Sequence, residues 1–370
     1  PLVSEPCLVI GRKGNVGQTH LMMNGSWPTD TTYYVLMRDD IDPKFLQHQL
    51  ISRDLRRLDS STATPSLRRQ DLESVPLTKP PLEEQRRIVE ILEDHLSRLD
   101  AAADYASAAE RRLSRLRDQL VRDAITGAVA GGDRRAPDLA AAGTVDGDLP
   151  TLPGDWRWKR LGDIADVAGG VTKDAKKQSD PSFVSVPYLR VANVQRGALH
   201  LEDVTSIRVS SVKADALRLQ RGDVLLNEGG DRDKLARGWV WEEQIENCIH
   251  QNHVFRARPH DEIDPYFLSW CANTIGGRWA ERNGKQSVNL ASISLSMIRK
   301  MPVIVPPIEA ARLVVAQLHD RLHDLDAMAA SIADSQARTS ALRRAVLAAA
   351  FSGKLTGRNT DCEVIEEIAG

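Results

Sequence analysis

The chain has 370 residues, of which 42% are apolar and 27% charged, an ordinary composition for a globular protein of two or three domains. Its 49 basic and 51 acidic side chains give a net charge of −2, which excludes a uniformly cationic, histone-like protein. No apolar run approaches the roughly 20 residues that cross a bilayer, and we expect neither a secretory leader nor a membrane partner. The four cysteines form no CxxC pair, which argues against a disulfide framework or a zinc knuckle and favours a reduced, cytoplasmic protein.

The sequence repeats itself. Residues 80–131 align with residues 306–357 at a constant offset of 226, without a gap and with 19 identities in 52 positions. Upstream, residues 38–46 align with residues 260–268 at an offset of 222. The difference between the two offsets has the size of a loop insertion. The pattern indicates a tandem duplication, so the two copies should share one architecture.

Each copy begins with a globular part and ends with a helix. The globular parts contain short β-type runs interrupted by Gly, Asn and Asp, which predicts a β-rich or mixed fold. The helical parts begin at the double prolines at 80–81 and 306–307 and end at Gly127 and Gly353. We therefore predict an α+β protein. It has two mixed α/β domains, the first incomplete, separated by two long helices packed as an antiparallel coiled coil.

The two helical parts carry the same heptad pattern. From Ile88 to Leu120, positions that alternate steps of four and three are mostly Leu, Ile or Ala, and the copy that begins at Val314 keeps this register. A period of 3.5 residues over four heptads is typical of a coiled-coil seam. About 45 residues would form a rod of roughly 65 Å. The alternative is two separate amphipathic helices, each packed on its own domain; equal length and register favour mutual packing.

The domain boundaries follow from these patterns. A stretch rich in Gly, Pro and Asp between the copies predicts a linker. The first globular part is shorter than the second by roughly 70 residues, so we expect its start to be missing, the alternative being an insertion in the second copy. The predicted segments are a partial first domain (1–79), a first helix (80–130), the linker (131–154), a second domain (155–301), a second helix (302–357) and a C-terminal tail (358–370).

The sequence lacks the common signatures of catalysis and metal binding. The phosphate-binding pattern GxxxxGK[ST] and the adenine-methylase pattern Asn/Asp-Pro-Pro-aromatic do not occur. His250 and His253 could share a face, but no cysteine or carboxylate set completes a metal site, so we assign them loop or core roles. Nuclease-like Asp-x-Lys occurs at Asp42 and Asp174 without an obvious partner carboxylate. We therefore predict no catalytic residue, no metal and no cofactor on this chain.

The second globular part instead carries basic and amide side chains in turn-rich clusters. Residues 155–300 contain 22 Lys and Arg against 19 Asp and Glu. Basic side chains neutralise phosphates, Arg reads guanine, and Asn or Gln reads adenine by bidentate hydrogen bonds. In the first copy a Gly-rich turn would let the backbone approach a phosphate closely. The predicted DNA-contacting residues are Arg12, Lys13, Asn15, Lys173, Lys176, Lys177, Arg190, Asn193, Arg196, Asn227, Arg232, Lys234, Arg237, Gln251, Asn252, Lys285, Gln286 and Asn289.

Several local sequences occur in a characteristic order. They are GRKG (11–14), WPTD (27–30), PPLEEQR (80–86), GDW (154–156) with LGD (161–163), RGDVLL (221–226) and SGKLTG (352–357). In this order nearly the whole chain resembles the DNA-specificity subunits of type I restriction-modification systems. The chain departs from that pattern in the missing start of the first recognition domain, and at Ala310-Ala311, where the first copy has Glu84-Gln85.

The resemblance implies two target-recognition domains that alternate with two spacer helices. It implies a non-catalytic subunit that recognises a bipartite double-stranded DNA target, with the rod setting the gap between half-sites. It also implies two adenine-N6 methyltransferase partners and, in the full complex, ATP-driven restriction (translocase) subunits. S-adenosylmethionine, ATP and Mg²⁺ would belong to those partners, and the target adenine would leave the base stack to be methylated. The location would be the prokaryotic cytoplasm, at the nucleoid when in complex.

Two other functional classes remain open. One is a coiled-coil adaptor that joins two modules without DNA specificity, which a salt-insensitive failure to bind any duplex would favour. The other is a stand-alone nuclease, which magnesium-dependent cleavage by the isolated chain would reveal.

Overall fold

The computed structural model describes residues 2–59, 64–128, 131–175, 178–286 and 290–355. The chain divides into two compact units. The first unit contains Pro1–Leu113 and Ala327–Gly370, and the second contains Ser114–Asp326. The first unit is therefore built from two segments that are distant in sequence, whereas the second is one continuous stretch of chain. In the part of the chain described here, no helix is both long enough and apolar enough to cross a bilayer.

The elements alternate short strands with short helices, apart from two helices of 44 residues. In chain order the helices are α1 (Pro43–Ser52), α2 (Arg69–Glu73), α3 (Leu82–Ile125), α4 (Leu161–Ile164), α5 (Ser211–Leu217), α6 (Pro265–Cys271), α7 (Gly277–Asn283), α8 (Leu295–Ile298) and α9 (Ile308–Phe351). Short 3₁₀ or π turns occupy Leu55–Leu58, Val191–Asn193, Arg232–Lys234 and Ala272–Gly276.

The strands are two to six residues long. They are β1 (Cys7–Gly11), β2 (Thr19–Met22), β3 (Thr32–Leu36), β4 (Arg134–Arg135), β5 (Leu152–Pro153), β6 (Arg157–Arg160), β7 (Ala165–Ala168), β8 (Val184–Leu189), β9 (Val194–Gln195), β10 (Ala198–Leu199), β11 (Ser206–Val209), β12 (Val224–Asn227), β13 (Gly229–Gly230), β14 (Gly238–Val240), β15 (Ile249–His250), β16 (Val254–Pro259), β17 (Lys285–Gln286), β18 (Ala291–Ser292) and β19 (Pro302–Val305).

Each unit has an antiparallel sheet at its centre. The first unit has three strands in the order β2-β1-β3, and Leu8 and Ile10 of β1 pack with Leu46 and Leu50 of α1 beneath it. The second unit has four strands in the order β14-β12-β16-β7 and a smaller sheet in the order β11-β8-β15. Strands and helices in both units confirm the predicted α+β class.

The two copies start an equivalent helix in the same way. Asp42 caps α1 by accepting hydrogen bonds from two backbone amides of the first turn, both at 3.0 Å, and Asp264 caps α6 with the same pattern at 2.9 and 3.0 Å. In each case a proline follows the cap, where its missing N–H costs nothing. The duplicated Asp-Pro sequence therefore has a duplicated structural role.

Gln85 ties α3 to the start of α1. Its side chain is fully buried, its Oε1 accepts from the amide of Asp42 at 2.8 Å, and its Nε2 donates to the carbonyls of Asp40 and Pro80 at 3.1 and 2.8 Å. A buried amide with both ends paired holds the segments it touches in one geometry. The second copy has Ala311 at this position, buried but without polar atoms in its side chain.

The two long helices run antiparallel. In the first unit Leu92 and Leu96 of α3 share a core cluster with Val346 and Leu347 of α9. Further along α3, Asp100 pairs with Arg343 and Glu110 accepts from Gln336 at 3.3 Å. In the second unit Arg117 pairs with Asp326. Partner numbers on α9 fall as those on α3 rise, which confirms the predicted antiparallel packing.

The predicted heptad seam is only partly buried. Ile88 and Leu92 are buried as expected, but Leu96 is buried in place of the seam residue His95, and the seam residues Leu116 and Met328 are 50% and 55% exposed. The central turns of α3 are rich in alanine, which gives little side-chain contact between helices. In the first unit the helices are therefore held together mainly where Ile88, Leu92 and Leu96 meet Val346 and Leu347.

The linker residues 131–154 are tied to the second unit. Arg134 donates to the carbonyls of Thr126 and Gly127 at the end of α3 and to that of Thr151. Its strand β4 pairs with β5. Gly127 adopts φ +58°, and a Cβ there would meet the ring of Pro153 at 2.7 Å, so glycine fits this helix end.

A polar cluster fixes the middle of the linker. Asp146 accepts two hydrogen bonds from the guanidinium of Arg160 at 2.9 and 2.8 Å and one from the indole of Trp279 at 2.9 Å. Arg160 is buried, and it also donates to the carbonyl of Ala140 at 2.7 Å. These hydrogen bonds, those from Arg160 above all, lower the pKa of the Asp146 carboxyl. Residues 131–154, whose composition predicts a linker, are thus packed against the rest of the second unit.

Replacing Asp146 by Asn should destabilise the second unit. The buried Arg160 would lose its carboxylate, and we expect the free energy of unfolding at pH 7 to fall by about 3 kcal/mol. Because the pKa is lowered in the folded state, the ionised carboxylate stabilises the fold above its unfolded pKa of about 3.9, and this stabilisation is lost as the pH falls through the folded pKa.

Urea unfolding followed by tryptophan fluorescence, at pH 7 and again near pH 3, measures this difference. The exposed Asp155→Asn is the control and should change the free energy of unfolding by less than about 0.5 kcal/mol. An Asp146→Asn loss of equal size at both pH values would contradict the ion-pair explanation.

Two leucines of α3 test where the helices are held together. Leu92→Ala removes a fully buried side chain from the core cluster and should cost about 3 kcal/mol of unfolding free energy. Leu116→Ala makes the same change at an exposed seam position and should cost less than about 0.5 kcal/mol. Denaturant midpoints of the two variants, compared with the parent chain, give both values. Equal losses would mean that the centre of the seam carries as much stability as its end.

Candidate nucleic-acid interface

The loops of the second unit leave its main sheet at one end. Asn227 ends β12 opposite Val254, where β16 begins, and β14 begins at Gly238 beside the same end of β12. Ala168 ends β7 beside the first half of β16. Because neighbouring strands are antiparallel, the loops that join these ends lie together. We call this surface the loop end. It comprises residues 169–175, 228–237 and 251–253, together with residues 190–196, which the side chain of Asn227 ties to the end of β12.

Two predicted contact residues are buried beneath the loop end. Asn193 accepts from the amide of Arg190 at 2.9 Å and donates to two loop carbonyls, and Asn227 donates to the carbonyl of Val194 at 2.8 Å. Their side chains are 3% and 0% exposed. Both amides hold loop backbone and face no solvent, so this placement does not fit the expectation that they contact DNA. We leave them out of the candidate interface.

Two arginines are anchored at the loop end. Arg196 is exposed, and its guanidinium donates to the carbonyl of Asp233 at 3.1 Å and to that of Asn273. Arg232 is also exposed and donates to the carbonyl of Glu281 at 3.3 Å. Carbonyls orient these guanidinium groups without neutralising their charge. Each retains further N–H donors, as a phosphate or a guanine would require.

Acidic residues moderate the charge of this cluster. Lys234 pairs with Asp231, and the hydrogen bond from Lys234 lowers the pKa of the Asp231 carboxyl. Arg237 is half-buried, and loss of solvent lowers the pKa of its guanidinium while the charge of Asp233 opposes that change. Arg190 is likewise half-buried and pairs with Asp203 at 3.2 Å. The surface is thus basic in places, and its acidic residues limit the net charge.

A small sheet brings another predicted pair to the same region. Lys285 and Gln286 form β17, which pairs with β18, and β18 pairs with β13 of the loop end. Both side chains are exposed. Asn289, predicted with them, lies outside the described residues. Lys285 and Gln286 are adjacent residues of one strand, so their side chains leave opposite faces of the small sheet, one with a charge and the other with an amide.

The remaining predicted residues of the second unit also meet here. Val171 pairs with Gln251 in a parallel bridge, and the amide of Asn252 donates to the carbonyl of Val171 at 2.9 Å. Lys173, two residues further on, is exposed. Its predicted neighbours, Lys176 and Lys177, lie outside the described residues. Gln251 and Asn252 are half-buried, so their side chains are partly accessible at the loop end.

Several polar residues were missed by the sequence analysis. His253 and Glu228 of the loop end form a pair with 2.7 Å between Nδ1 and Oε2. Arg208 and Lys213 line a cavity of about 630 Å³ together with Lys173. These residues are scattered along the sequence and stand in no basic run. Only the folded arrangement brings Arg208 and Lys213 to Lys173 and pairs His253 with Glu228, so no sequence signal could have identified these residues.

The first unit presents an equivalent turn. Gly11 ends β1 opposite Thr32, just as β12 of the second unit ends opposite the start of β16, so residues 12–18 leave the sheet at the corresponding end. Arg12 lies 5.5 Å from the ring centre of Tyr33 and donates to a backbone carbonyl at 3.2 Å. The side chains of Lys13 and Asn15 are exposed. The turn therefore has two accessible polar side chains and one that is held on an aromatic ring.

The residues considered for catalysis or metal binding have local partners. Asp42 caps α1, and Lys44 pairs with Glu93 at 2.7 Å. His250 is fully buried, its Nδ1 is 2.6 Å from the carbonyl of Val254, and burial lowers its pKa to about 4. Across the described ranges, no three His, Cys, Asp or Glu side chains are grouped so that they could hold a metal ion.

Curated proteins similar to this chain are specificity subunits. The chain is 23% identical over 302 residues to the type I restriction enzyme EcoBI specificity subunit of Escherichia coli, covering 81% of this chain and 62% of the relative. It is 23% identical over 291 residues to the EcoKI specificity subunit of Escherichia coli strain K12, covering 78% and 59%. The chain thus spans about six tenths of the length of these relatives.

Solved structures share its fold. A chain from a structure that describes complex assembly and conformational transition of the type I R-M system aligns with a TM-score of 0.68 at 20% identity, covering 94% of this chain and 82% of that one. The HsdS subunit from Thermoanaerobacter tengcongensis aligns with a TM-score of 0.50 at 18% identity, covering 94% and 81%. The family model for the type I restriction modification DNA specificity domain matches residues 2–103 and 153–334, which is more than half of the sequence. The chain therefore belongs to the type I restriction-modification DNA specificity family.

Proposed function

We propose that this chain is the non-catalytic DNA sequence-specificity subunit of a type I restriction-modification complex. The observation that carries the proposal is the loop end of the second unit. There, basic side chains anchored by carbonyls lie beside amide side chains, and they come from four separate stretches of sequence. Basic groups position a protein on phosphates, and Arg, Asn and Gln can distinguish bases in the major groove. Membership of the specificity family supports the same reading.

The target would be bipartite double-stranded DNA. Each unit has a turn or a set of loops at the corresponding end of its sheet, so each can serve one half-site. The separation of the half-sites would depend on the long helices, in the way that a dimer fixes the spacing of its operator halves. The first unit offers a smaller polar surface, namely Arg12, Lys13 and Asn15, and its half-site would have fewer contacts.

The chemistry would belong to partner subunits. Two adenine-N6 methyltransferase subunits, and restriction (translocase) subunits in the full complex, would dock on this chain and bring S-adenosylmethionine, ATP and Mg²⁺. The exposed sides of the helices offer them charged surfaces, including Glu90, Arg98 and Arg112. The target adenine would have to leave the base stack to reach a methyltransferase pocket. The complex would act on chromosomal DNA in a prokaryotic cytoplasm.

Two other functions are distinguishable from this one. An adaptor without DNA specificity would fail to bind any duplex regardless of salt. A stand-alone nuclease would cleave DNA when the purified chain is given Mg²⁺. Either result would overturn the proposal, because it assigns duplex recognition to this chain and cleavage to its partners.

Replacing basic residues at the loop end should weaken DNA binding evenly across sequences. For Lys173→Gln combined with Arg232→Gln, we expect the slope of log K against log salt to become shallower by about 2, since each lost phosphate contact removes about 0.9. Fluorescence anisotropy with labelled duplexes between 50 mM and 200 mM salt measures the slope. Arg112→Gln, an exposed change in the middle of α3, is the control and should leave the slope unchanged. An unchanged slope in the double variant would place DNA elsewhere.

Methylation in cells tests the specificity role directly. Deleting the gene should remove N6-adenine methylation from one bipartite motif, as read by single-molecule sequencing of the chromosome. Restoring the gene with Gln286→Ala should relax one base position of that motif, because a bidentate contact discriminates by about 1 to 3 kcal/mol.

The adjacent Lys285→Gln is the matched control for this experiment. It should reduce the fraction of methylated sites without altering the motif, since a phosphate contact carries no base information directly. A methylome that is the same with and without the gene would refute the proposed function. An altered motif with Lys285→Gln, and an unaltered one with Gln286→Ala, would reverse the roles of these two residues.

A further inference from the structure

The central sheets of the two units correspond strand by strand. In the first unit Leu8 of β1 pairs with Val35 of β3, and in the second unit Val224 of β12 pairs with Ala257 of β16. Strand β2 then corresponds to β14, because each flanks the central strand on its other side. The partners of a strand in one unit can therefore be compared with the partners of the equivalent strand in the other unit.

The outer edge of β3 is open, whereas the equivalent edge is covered. In the second unit β7 pairs along β16, with Val167 opposite Ala257. In the first unit, among the residues that the structure describes, no strand pairs with β3 on that side. An edge strand leaves N–H and C=O groups ready to bond another strand.

A second segment also lacks the partner that its counterpart has. Residues 76–79 align with β19 at the offset of 226, and β19 pairs with β6. In the first unit these residues form no strand within the described ranges. Leu77 is 46% exposed, whereas the equivalent Val303 is 0% exposed. Both open edges thus correspond to strands that one segment, residues 157–168, covers in the second unit.

An apolar groove lies beside the two open edges. It has a volume of about 720 Å³, and its lining includes Tyr33, Val35, Leu72, Val75 and Leu77. In the second unit the segment that covers both strands carries apolar side chains that are at most 5% exposed, namely Leu161, Ile164 and Val167. The first unit therefore has a groove where the second unit has buried side chains.

We propose that this groove binds a polypeptide segment of the same kind as residues 157–168, two short strands joined by one helical turn, supplied from outside residues 1–370. The segment would add one strand to β3 and another to residues 76–79, and its intervening apolar residues would fill the groove. Two open backbone edges with an apolar floor fit an extended peptide, which recognises a sheet by main-chain bonds and alternate side chains. The inference rests on the internal repeat and does not depend on the proposed function.

A second copy of this chain is the weaker occupant. Its own residues 157–168 are already paired with β19 and β16, and their apolar side chains belong to the core. Inserting them into another molecule would expose that core. A free segment of the same pattern has no such cost beyond its ordering.

Binding can be tested with the intact chain and a synthetic peptide. The probe is a labelled peptide with the sequence of residues 155–169, and the control peptide has Ser at the three positions equivalent to Leu161, Ile164 and Val167. We expect saturable binding by fluorescence anisotropy, at least tenfold weaker for the control peptide. Hydrogen exchange of the amides in residues 33–37 and 76–79 should slow at least tenfold when the probe is bound.

Variants of the chain locate the site. Leu77→Asp places a charge in the groove at an exposed position, and it should weaken probe binding at least tenfold while leaving the fold intact. Ile51→Asp is the control, because Ile51 is also exposed in the first unit but does not line this groove. It should not change binding of the probe.

A fusion provides a second measurement in case the free peptide aggregates. Joining residues 155–169 to the N-terminus through a flexible linker of about 20 residues, about 25 Å on average, should raise the unfolding temperature above that of the Ser-substituted fusion. Equal temperatures for the two fusions, together with no saturable peptide binding, would overturn the proposal. So would a dimer of the chain that Leu77→Asp dissociates, since the second copy would then be the occupant.

Discussion

The antiparallel pairing of α3 with α9 is the contact on which the first unit depends. Its core is closed by the last turns of α9, where the ring of Phe351 lies 5.4 Å from that of Phe45, and Val346 and Leu347 share a core cluster with Leu92. The residues that begin this unit and those that complete it are therefore at opposite ends of the sequence. Bringing these distant segments together costs conformational entropy. The long helix offsets this cost because one rigid element aligns many contacts at once. The sheet of the first unit is held in place by the far end of the chain.

The sequence predicts the features that occur in both copies, but it does not predict contacts that form once, between residues distant in sequence. The long helices and their antiparallel direction follow from local and periodic features, which can be recognised without knowing the neighbours. Asp146 could not be recognised in this way, since its partner Arg160 and the indole of Trp279 are found only in the folded chain. The role of Asn227 could not be recognised either. Its residue type is typical of a base contact, but its buried side chain donates to the carbonyl of Val194. Residue type indicates which chemistry is possible, and burial decides whether it is accessible.

The basic residues of the loop end combine fixed geometry with low net charge. Arg196 and Arg232 are held by carbonyl oxygens, so their guanidinium groups lose less freedom on binding a ligand than free arginines would. Asp231 and Asp233 lie among them and reduce the attraction for phosphate in general. Such an arrangement suits a sequence-specific DNA-binding protein, because weak non-specific binding leaves a larger share of the affinity to base contacts. The nearly neutral composition of the chain is thus compatible with selective recognition of DNA.

Under the proposed function, the duplicated frame would let the recognised sequence vary without a new fold. In both units the central strand and one face of the helix after the Asp-Pro cap are buried, and the polar turns leave from the corresponding end of the central strand. Replacing Lys285 or Gln286, which are exposed on a two-residue strand, changes no core contact. Replacing Asn193 would remove three hydrogen bonds that hold the loop itself. Substitution is therefore tolerated best at exposed loop positions and is destabilising one layer below. Under the proposed function, a new target sequence would arise by changing exposed loop residues while the buried asparagine is kept.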